Sequence, residues 1–314
     1  MKSKTIIILF IFNSLLFNQT IGEGLYLNDL IDYLNANYKT NTVLSYNSAR
    51  DILYGDIESP LNNGDVVGVY TNYSISLPSN VDPSTYLYEN GMDCEHLWPQ
   101  SMYEGSSPMK SDMHHLKPCK SNVNSSRGNK PFGDISDFQT NTWFWLNVQT
   151  NTIPSSNINQ YSESSSNYFE PREDVKGDVA RSIFYFYTMY SNVADENFFN
   201  IQKNILYQWH LEDPVSQLEI DRTWDIAYYQ DNFPNPFIID NTLIERAYFY
   251  SYPNNNVGDI NLDTLINVVD VVLLVNYILG IDSLSEDSIQ QADLDDNNLI
   301  NIVDVVALIN LILN

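Results

Sequence analysis

Positive charge is the first thing this sequence lacks. Fifteen Lys and Arg stand against 40 Asp and Glu, for a formal charge of −25. Phosphate backbones attract cations, so bulk charge alone argues against a nucleic-acid partner. Cysteine is nearly absent. Cys94 and Cys119 are the whole supply, too few for a disulfide framework and enough for one bridge at most. Long apolar runs are confined to the amino end. Residues 5–17 are almost wholly apolar behind Lys2 and Lys4. That run is short for a membrane span and has the form of a secretory signal, with Thr20-Ile21-Gly22 placing cleavage after Gly22. No later stretch is long and apolar enough to span a bilayer, so an exported, soluble, monomeric chain is expected. Export would leave Cys94 and Cys119 in an oxidising setting, where a bridge and two buried thiols are equally good readings.

What is present divides the chain. A signal at 1–22 is followed by a large domain at 23–250, a polar, breaker-rich linker at 251–257 and a small domain at 258–314. Leu25, Leu27, Leu30, Ile31 and Leu34 recur at helical spacing and suggest an opening amphipathic helix to Tyr38. Val66 to Tyr70 is β-prone and lies after the turn signal Asn62-Asn63-Gly64. Residues 151–167, rich in Ser and Asn, suggest an exposed loop. Val175 to Tyr190 suggests a buried aromatic helix and Ile201 to Trp209 another. Residues 233–237 hold two prolines, which break helix and sheet ladders alike.

The last segment repeats with a period of 34 residues. Residues 259–270, DINLDTLINVVD, match residues 293–304, DLDDNNLINIVD, and each copy runs into an apolar helix, Val271 to Leu279 or Val305 to Leu313. Oxygen-bearing side chains at loop positions 1, 3, 5, 9 and 12, with a backbone carbonyl at position 7, wrap a hard cation such as Ca²⁺. The first loop offers Asp259, Asn261, Asp263, the Leu265 carbonyl, Asn267 and Asp270. The second offers Asp293, Asp295, Asn297, the Leu299 carbonyl, Asn301 and Asp304. A solvated acidic turn before each helix is the plainer alternative, and two matching copies weigh against it. The pair resembles a dockerin domain, which implies Ca²⁺ as cofactor and a cohesin-type protein as partner. Position 6, usually Gly, is Thr264 and Asn298. A β-branched residue tolerates the positive φ of that turn worse than Asn does, so the first loop is expected to bind more weakly.

Three of the four histidines, His96, His114 and His115, lie within 20 residues of one another. A zinc site is one reading, but no Cys-x-x-Cys or His-x-x-x-His spacing supports it. The other reading rests on three motifs: residues 93–101, DCEHLWPQS; residues 111–118, SDMHHLKP; and residues 122–129, NVNSSRGN. Together they resemble the endonuclease I family of secreted bacterial nucleases, within the His-metal-finger (ββα-metal) group. Segments at 175–185, 209–215 and 230–237 extend the likeness. It implies an α+β nuclease domain followed by a small all-α calcium module. It further implies His96 as general base and Mg²⁺ (or Mn²⁺) held by Glu95 and Asn124, with DNA, and RNA as a second candidate, as substrate. Arg127 and Arg181 are candidates to hold a phosphate. His114 and His115 receive no catalytic role.

The chemistry suits these residue types. A histidine can take a proton from water near neutral pH, and a hard cation stabilises charge developing on phosphate. Glu95 and His96 are adjacent, so a regular strand would point them to opposite faces; the motif is therefore expected at a strand end, near Pro99. Residues 110–130 also answer the charge objection, because Lys110, Lys117, Lys120, Arg127 and Lys130 face only Asp112 there. The competing reading is an inactive nuclease fold serving as a dockerin-borne binding protein.

Overall fold

The computed structural model describes residues 20–42, 44–103, 105–250, 257–295 and 297–313. Most of the expected signal segment and linker (1–19 and 251–256) lies outside these residues. The chain divides after Phe249 into two units.

The first unit opens with α1 (Leu27–Tyr38), whose fully buried Leu30 and Leu34 share one face. Then come α2 (Tyr46–Ile52), a π-helical stretch (Leu53–Glu58) and α3 (Ser59–Leu61). Strands β1 (Asp65–Val67) and β2 (Ser74–Ser76) form a short ribbon. After α4 (Pro83–Glu89), β3 (Met92–His96) pairs antiparallel with β4 (Leu116–Lys120), and α5 (Ser121–Arg127) follows at once. A second sheet holds β5 (Thr142–Trp145), β6 (Val148–Thr150), β7 (Ser162–Ser164) and β8 (Phe169–Glu170) in the order β6-β5-β7-β8. The rest is helical: α6 (Lys176–Tyr190), α7 (Glu196–Asn200), α8 (Lys203–Glu212), α9 (Gln217–Tyr229), α10 (Pro236–Ile239) and α11 (Leu243–Tyr248).

Helix α6 is the centre of the larger apolar cluster. Its Phe184, Tyr185 and Phe186 are fully buried, and Trp98 stacks on Phe186 with ring centroids 4.9 Å apart. The aromatic run is core, as its spacing suggests. A second cluster gathers Leu53, Tyr54, Val66, Met92 and Leu116. The β3–β4 ribbon lies between the two: Met92 and Cys94 face the second cluster, whereas Cys119 belongs to the first. This division overturns the disulfide. Cys94 pairs with Pro118 and Asp93 with Cys119. Side chains alternate along a strand, so the one-residue offset puts the two sulfurs on opposite faces of the ribbon. Both thiols are free.

Two further expectations need correction. Residues 162–164 are not exposed loop but buried strand. The Ser162 hydroxyl donates to the Tyr70 carbonyl at 2.6 Å, so a polar sequence is satisfied inside. Residues 233–237 do include regular structure, because Pro236 occupies the first turn of α10, where its missing N–H costs nothing, and Asn235 caps the helix. Near the amino end, Ile21 is buried and donates its N–H to Asp240 Oδ2 at 2.9 Å. Cleavage after Gly22 would discard that contact.

The second unit contains α12 (Val268–Ile278), α13 (Glu286–Ala292) and α14 (Ile302–Leu313). Both long helices begin three residues before the apolar pattern, since Val268 and Ile302 directly follow loop position 9. Helix α13 has no counterpart in the sequence reading. The core is small: Ile260, Leu274, Ala292, Val305 and Leu308.

Candidate active site

Glu95, His96, Asn124 and Arg127 line one cleft of about 350 Å³, together with Asp93, Pro99 and Gln100. Strand β3 brings the first two and α5 the others. Pairing ends at His96 opposite Leu116, and Pro99 follows, so Glu95 and His96 meet the cleft where the ladder stops.

Glu95 is almost fully buried, and its Oε1 accepts from the Tyr70 hydroxyl at 2.7 Å and lies 3.2 Å from Arg127 Nη1. Burial raises its pKa, while Arg127 and Tyr70 oppose the shift. The Asn124 amide donates from Nδ2 to the Cys94 carbonyl at 3.4 Å, leaving Oδ1 as the atom available to a cation. A carboxylate and an amide oxygen beside open volume suit a hard ion that keeps most of its water. Tyr70, 25 residues upstream of Glu95, carries no motif and was invisible in sequence.

His96 is held through its ring. Its Nε2 lies 3.1 Å from the Lys110 carbonyl, which can only accept, so Nε2 carries the proton. Nδ1 then presents its lone pair, with the Gln100 amide at 3.4 Å. Burial, reinforced by nearby His115, lowers the pKa to about 3, so the imidazole is neutral at ordinary pH. His114 and His115 are structural: their Nε2 atoms bond the Phe233 and Met109 carbonyls at 2.9 and 2.7 Å. Each histidine of the trio thus spends one nitrogen on a different carbonyl. Among the described residues, the His, Cys, Asp and Glu side chains close enough to share an ion are Asp293, Asp295 and Asp304, so these histidines do not make the alternative zinc set. Buried Asp112 braces their segment by accepting from the Tyr185 and Tyr190 hydroxyls at 2.9 and 2.7 Å.

The basic window does not form one patch. Lys117 is buried beside Asp178. Arg127 donates to the His96 and Leu97 carbonyls at 3.1 and 2.6 Å, clamping the strand end as well as facing Glu95. Arg181 is absent from the cleft lining. It is fully buried, with two bonds to Glu219 at 2.7 and 2.8 Å. That pairing corrects its assignment as a phosphate ligand.

The profile of the endonuclease I family matches residues 27–242. The chain belongs to the endonuclease I family. A dockerin type I domain matches residues 257–313. Among curated proteins, the "Extracellular ribonuclease" of Bacillus subtilis (strain 168) is 30% identical over 222 residues, covering 63% of this chain and 66% of that protein. The "Extracellular ribonuclease" of Bacillus amyloliquefaciens is 28% identical with the same coverage. The chain thus spans just under two thirds of the length of these relatives.

The dockerin-type loops are built alike. In the first, Asp259 accepts from the backbone of Asp263 and Thr264, and Asp270 from Ile260, Asn261 and Asn267. In the second, Asp293 accepts from Asn297 and Asn298, and Asp304 from Leu294 and Asn301. Asn267 and Asn301 accept from Val269 and Val303 N–H groups and so begin their helices. Position 6 is left-handed in both loops, with φ of 72° at Thr264 and 62° at Asn298. The Leu265 and Leu299 carbonyls accept from the Asn267 and Asn301 amides. Asn261 and Asn297 reach Asp263 and Asp295 at 2.8 and 2.7 Å.

Proposed function

We propose that this chain is a secreted, divalent-metal-dependent endonuclease that hydrolyses phosphodiesters of DNA or RNA with little sequence preference. The observation that carries the reading is the neutral His96, its Nδ1 unprotonated, in one cleft with the Glu95 carboxylate and Asn124 amide. Nδ1 accepts the proton of a water as that water attacks phosphorus, and the Nε2–H bond to Lys110 steadies the imidazolium formed. Glu95 and Asn124 would hold Mg²⁺ or Mn²⁺, which supplies charge stabilisation at the phosphate and leaving oxygen. Arg127 opposes the rise that burial imposes on the Glu95 pKa and keeps the strand end fixed. The family membership and the names of the two relatives support a nuclease.

The second unit is the docking module. Asp270 and Asp304 are fully buried, and residues 259–314 contain no Lys or Arg. Buried carboxylates without a cationic side chain call for a bound cation, and the ligand set is that of Ca²⁺. The repeat also duplicates an apolar surface. Leu265, Val268, Val269 and Val272 match Leu299, Ile302, Val303 and Val306, each between 49% and 67% exposed. Such a face fits a protein partner of the cohesin kind. No helix among the described residues is long and apolar enough to cross a membrane.

The deciding experiment incubates the purified full chain with plasmid and with RNA, in Mg²⁺ and in EDTA. Cleavage in Mg²⁺ that EDTA abolishes is expected. Absence of cleavage of either polymer would favour the inactive binding protein.

A further inference from the structure

Glu95 lines the catalytic cleft from an almost fully buried position. Both of its side-chain partners meet the same oxygen. The Tyr70 hydroxyl donates to Oε1 at 2.7 Å, and Arg127 Nη1 lies 3.2 Å from that atom. Among the described residues, no donor bonds Oε2. A free glutamate carboxylate turns about its last side-chain bond and offers either oxygen alike. Pinning Oε1 stops that rotation and leaves Oε2 as the atom Glu95 presents to a cation.

The two partners differ. Arg127 also donates to the His96 and Leu97 carbonyls at 3.1 and 2.6 Å, so it serves the strand end as well. The Tyr70 hydroxyl, among the described residues, bonds Glu95 alone. Tyr70 is itself fully buried and held on several sides. Its ring packs against Phe169 and Phe132, with centroids 4.7 and 6.4 Å away. Its carbonyl accepts from the Ser162 hydroxyl at 2.6 Å, and that hydroxyl accepts from the Arg172 N–H at 2.9 Å. The preceding Val69 donates to the Pro118 carbonyl of β4 at 2.9 Å and accepts from Arg172 Nε at 3.0 Å. A phenol fixed in this way cannot follow a wandering carboxylate, so it sets the carboxylate's place. We propose that Tyr70 is the positioning residue of the catalytic cation site, holding Glu95 so that Oε2 alone is presented beside the Asn124 amide oxygen. The inference rests on the metal-dependent nuclease reading. Tyr70 touches neither cation nor substrate and acts through Glu95. One carboxylate oxygen and one amide oxygen leave the rest of the cation's shell to water and phosphate, as suits Mg²⁺.

Tyr70→Phe tests this, because it removes the hydroxyl and keeps the ring that packs on Phe169 and Phe132. Two measurements are made on the full chain, with circular dichroism and melting showing that the variant is folded. First, Mn²⁺ binding is followed by electron paramagnetic resonance without nucleic acid. The acidic loops of the second unit are the same in every variant, so the catalytic site is the Mn²⁺ that the parent binds and Glu95→Ala does not. Tyr70→Phe should weaken that site about tenfold or more, the usual scale for losing a group that orients a metal ligand. Second, RNA cleavage is titrated with Mg²⁺. The half-saturating concentration should rise by the same factor, about tenfold or more, and excess Mg²⁺ should restore most of the parent rate. A folded Tyr70→Phe protein with parent-like affinity for both ions would overturn the proposal and leave the nuclease reading standing. So would a rate that stays low in saturating Mg²⁺ while affinity is unchanged, since positioning a ligand acts on affinity. A parent that binds no more Mn²⁺ than Glu95→Ala would instead refute the cation site itself, and the metal-dependent reading with it.

Discussion

The two units bury charge in opposite ways. In the first, each buried carboxylate of the charged pairs meets a cation of the same unit: Glu95 with Arg127, Glu219 with Arg181, Glu58 with Arg222. Large aromatic side chains fill the same unit, with Trp98, Trp143 and Trp209 almost fully buried. In the second, the core is five small or aliphatic side chains, and the buried Asp259, Asp270 and Asp304 are met by backbone N–H groups. One unit is closed by apolar burial and internal ion pairs. The other closes its buried carboxylates with backbone hydrogen bonds around a small core, which alone offsets little of the entropy of ordering.

Removing calcium should break the symmetry most. With EGTA in excess, the full chain should lose the helical circular dichroism of α12 and α14, and protease cuts should concentrate within 257–313, since binding and folding are coupled. The first unit should keep its melting transition. Equal helicity with and without calcium would reduce the repeat to solvated turns.

Next comes the internal pairing. Arg127→Ala leaves Glu95 buried without its partner and two strand-end carbonyls without donors. Breaking a buried pair costs about 3–5 kcal/mol, a fall in Tm on the order of 10 °C. A change under about 2 °C would show that the pair is not structural.

These contrasts also explain what the sequence could reveal. The paired acidic loops were legible because each lies within twelve residues of chain, and the meeting of Glu95, His96 and Asn124 in one cleft because short motifs carry them. The partners were not legible. Tyr70, the Lys110 carbonyl and the burial of Arg181 come from distant segments, and nothing local marks them. The cysteines failed for a sharper reason: proximity suggested a bridge, but a single residue of strand register separates Cys94 and Cys119 onto opposite faces. Ser162 to Ser164 misled because serines that bond backbone inside a protein look like a loop in sequence.

A smaller effect separates the two loops. The Asp293, Asp295 and Asp304 oxygens lie within 4.8 Å of one another, whereas the first loop has Asn261 at position 3 and β-branched Thr264 at φ 72°. Asp293→Ala should therefore raise the calcium concentration for half-folding more than Asp259→Ala does. Equal shifts would show that position 6 does not matter.

The smallest lies in the first unit. Burial pushes the Glu163 carboxyl up to a pKa of about 7, above its ordinary 4.5. The folded state then binds the proton more tightly than the unfolded state. Its stabilising contribution is full below pH 4.5 and is lost as pH rises through 7. Glu163→Gln, fixed in the neutral form, should raise Tm by about 2–4 °C at pH 8 and leave it unchanged at pH 4.5. The same gain at both values would trace it to something other than ionisation.

The central claim is that His96, neutral and positioned by the Lys110 carbonyl, takes the proton of the attacking water. The direct test compares cleavage rates of RNA and plasmid by the full chain and by His96→Ala in saturating Mg²⁺, with circular dichroism confirming that both are folded. The account requires a loss of ~10²-fold or more in the variant. A folded His96→Ala protein cutting within about twofold of the parent would contradict it.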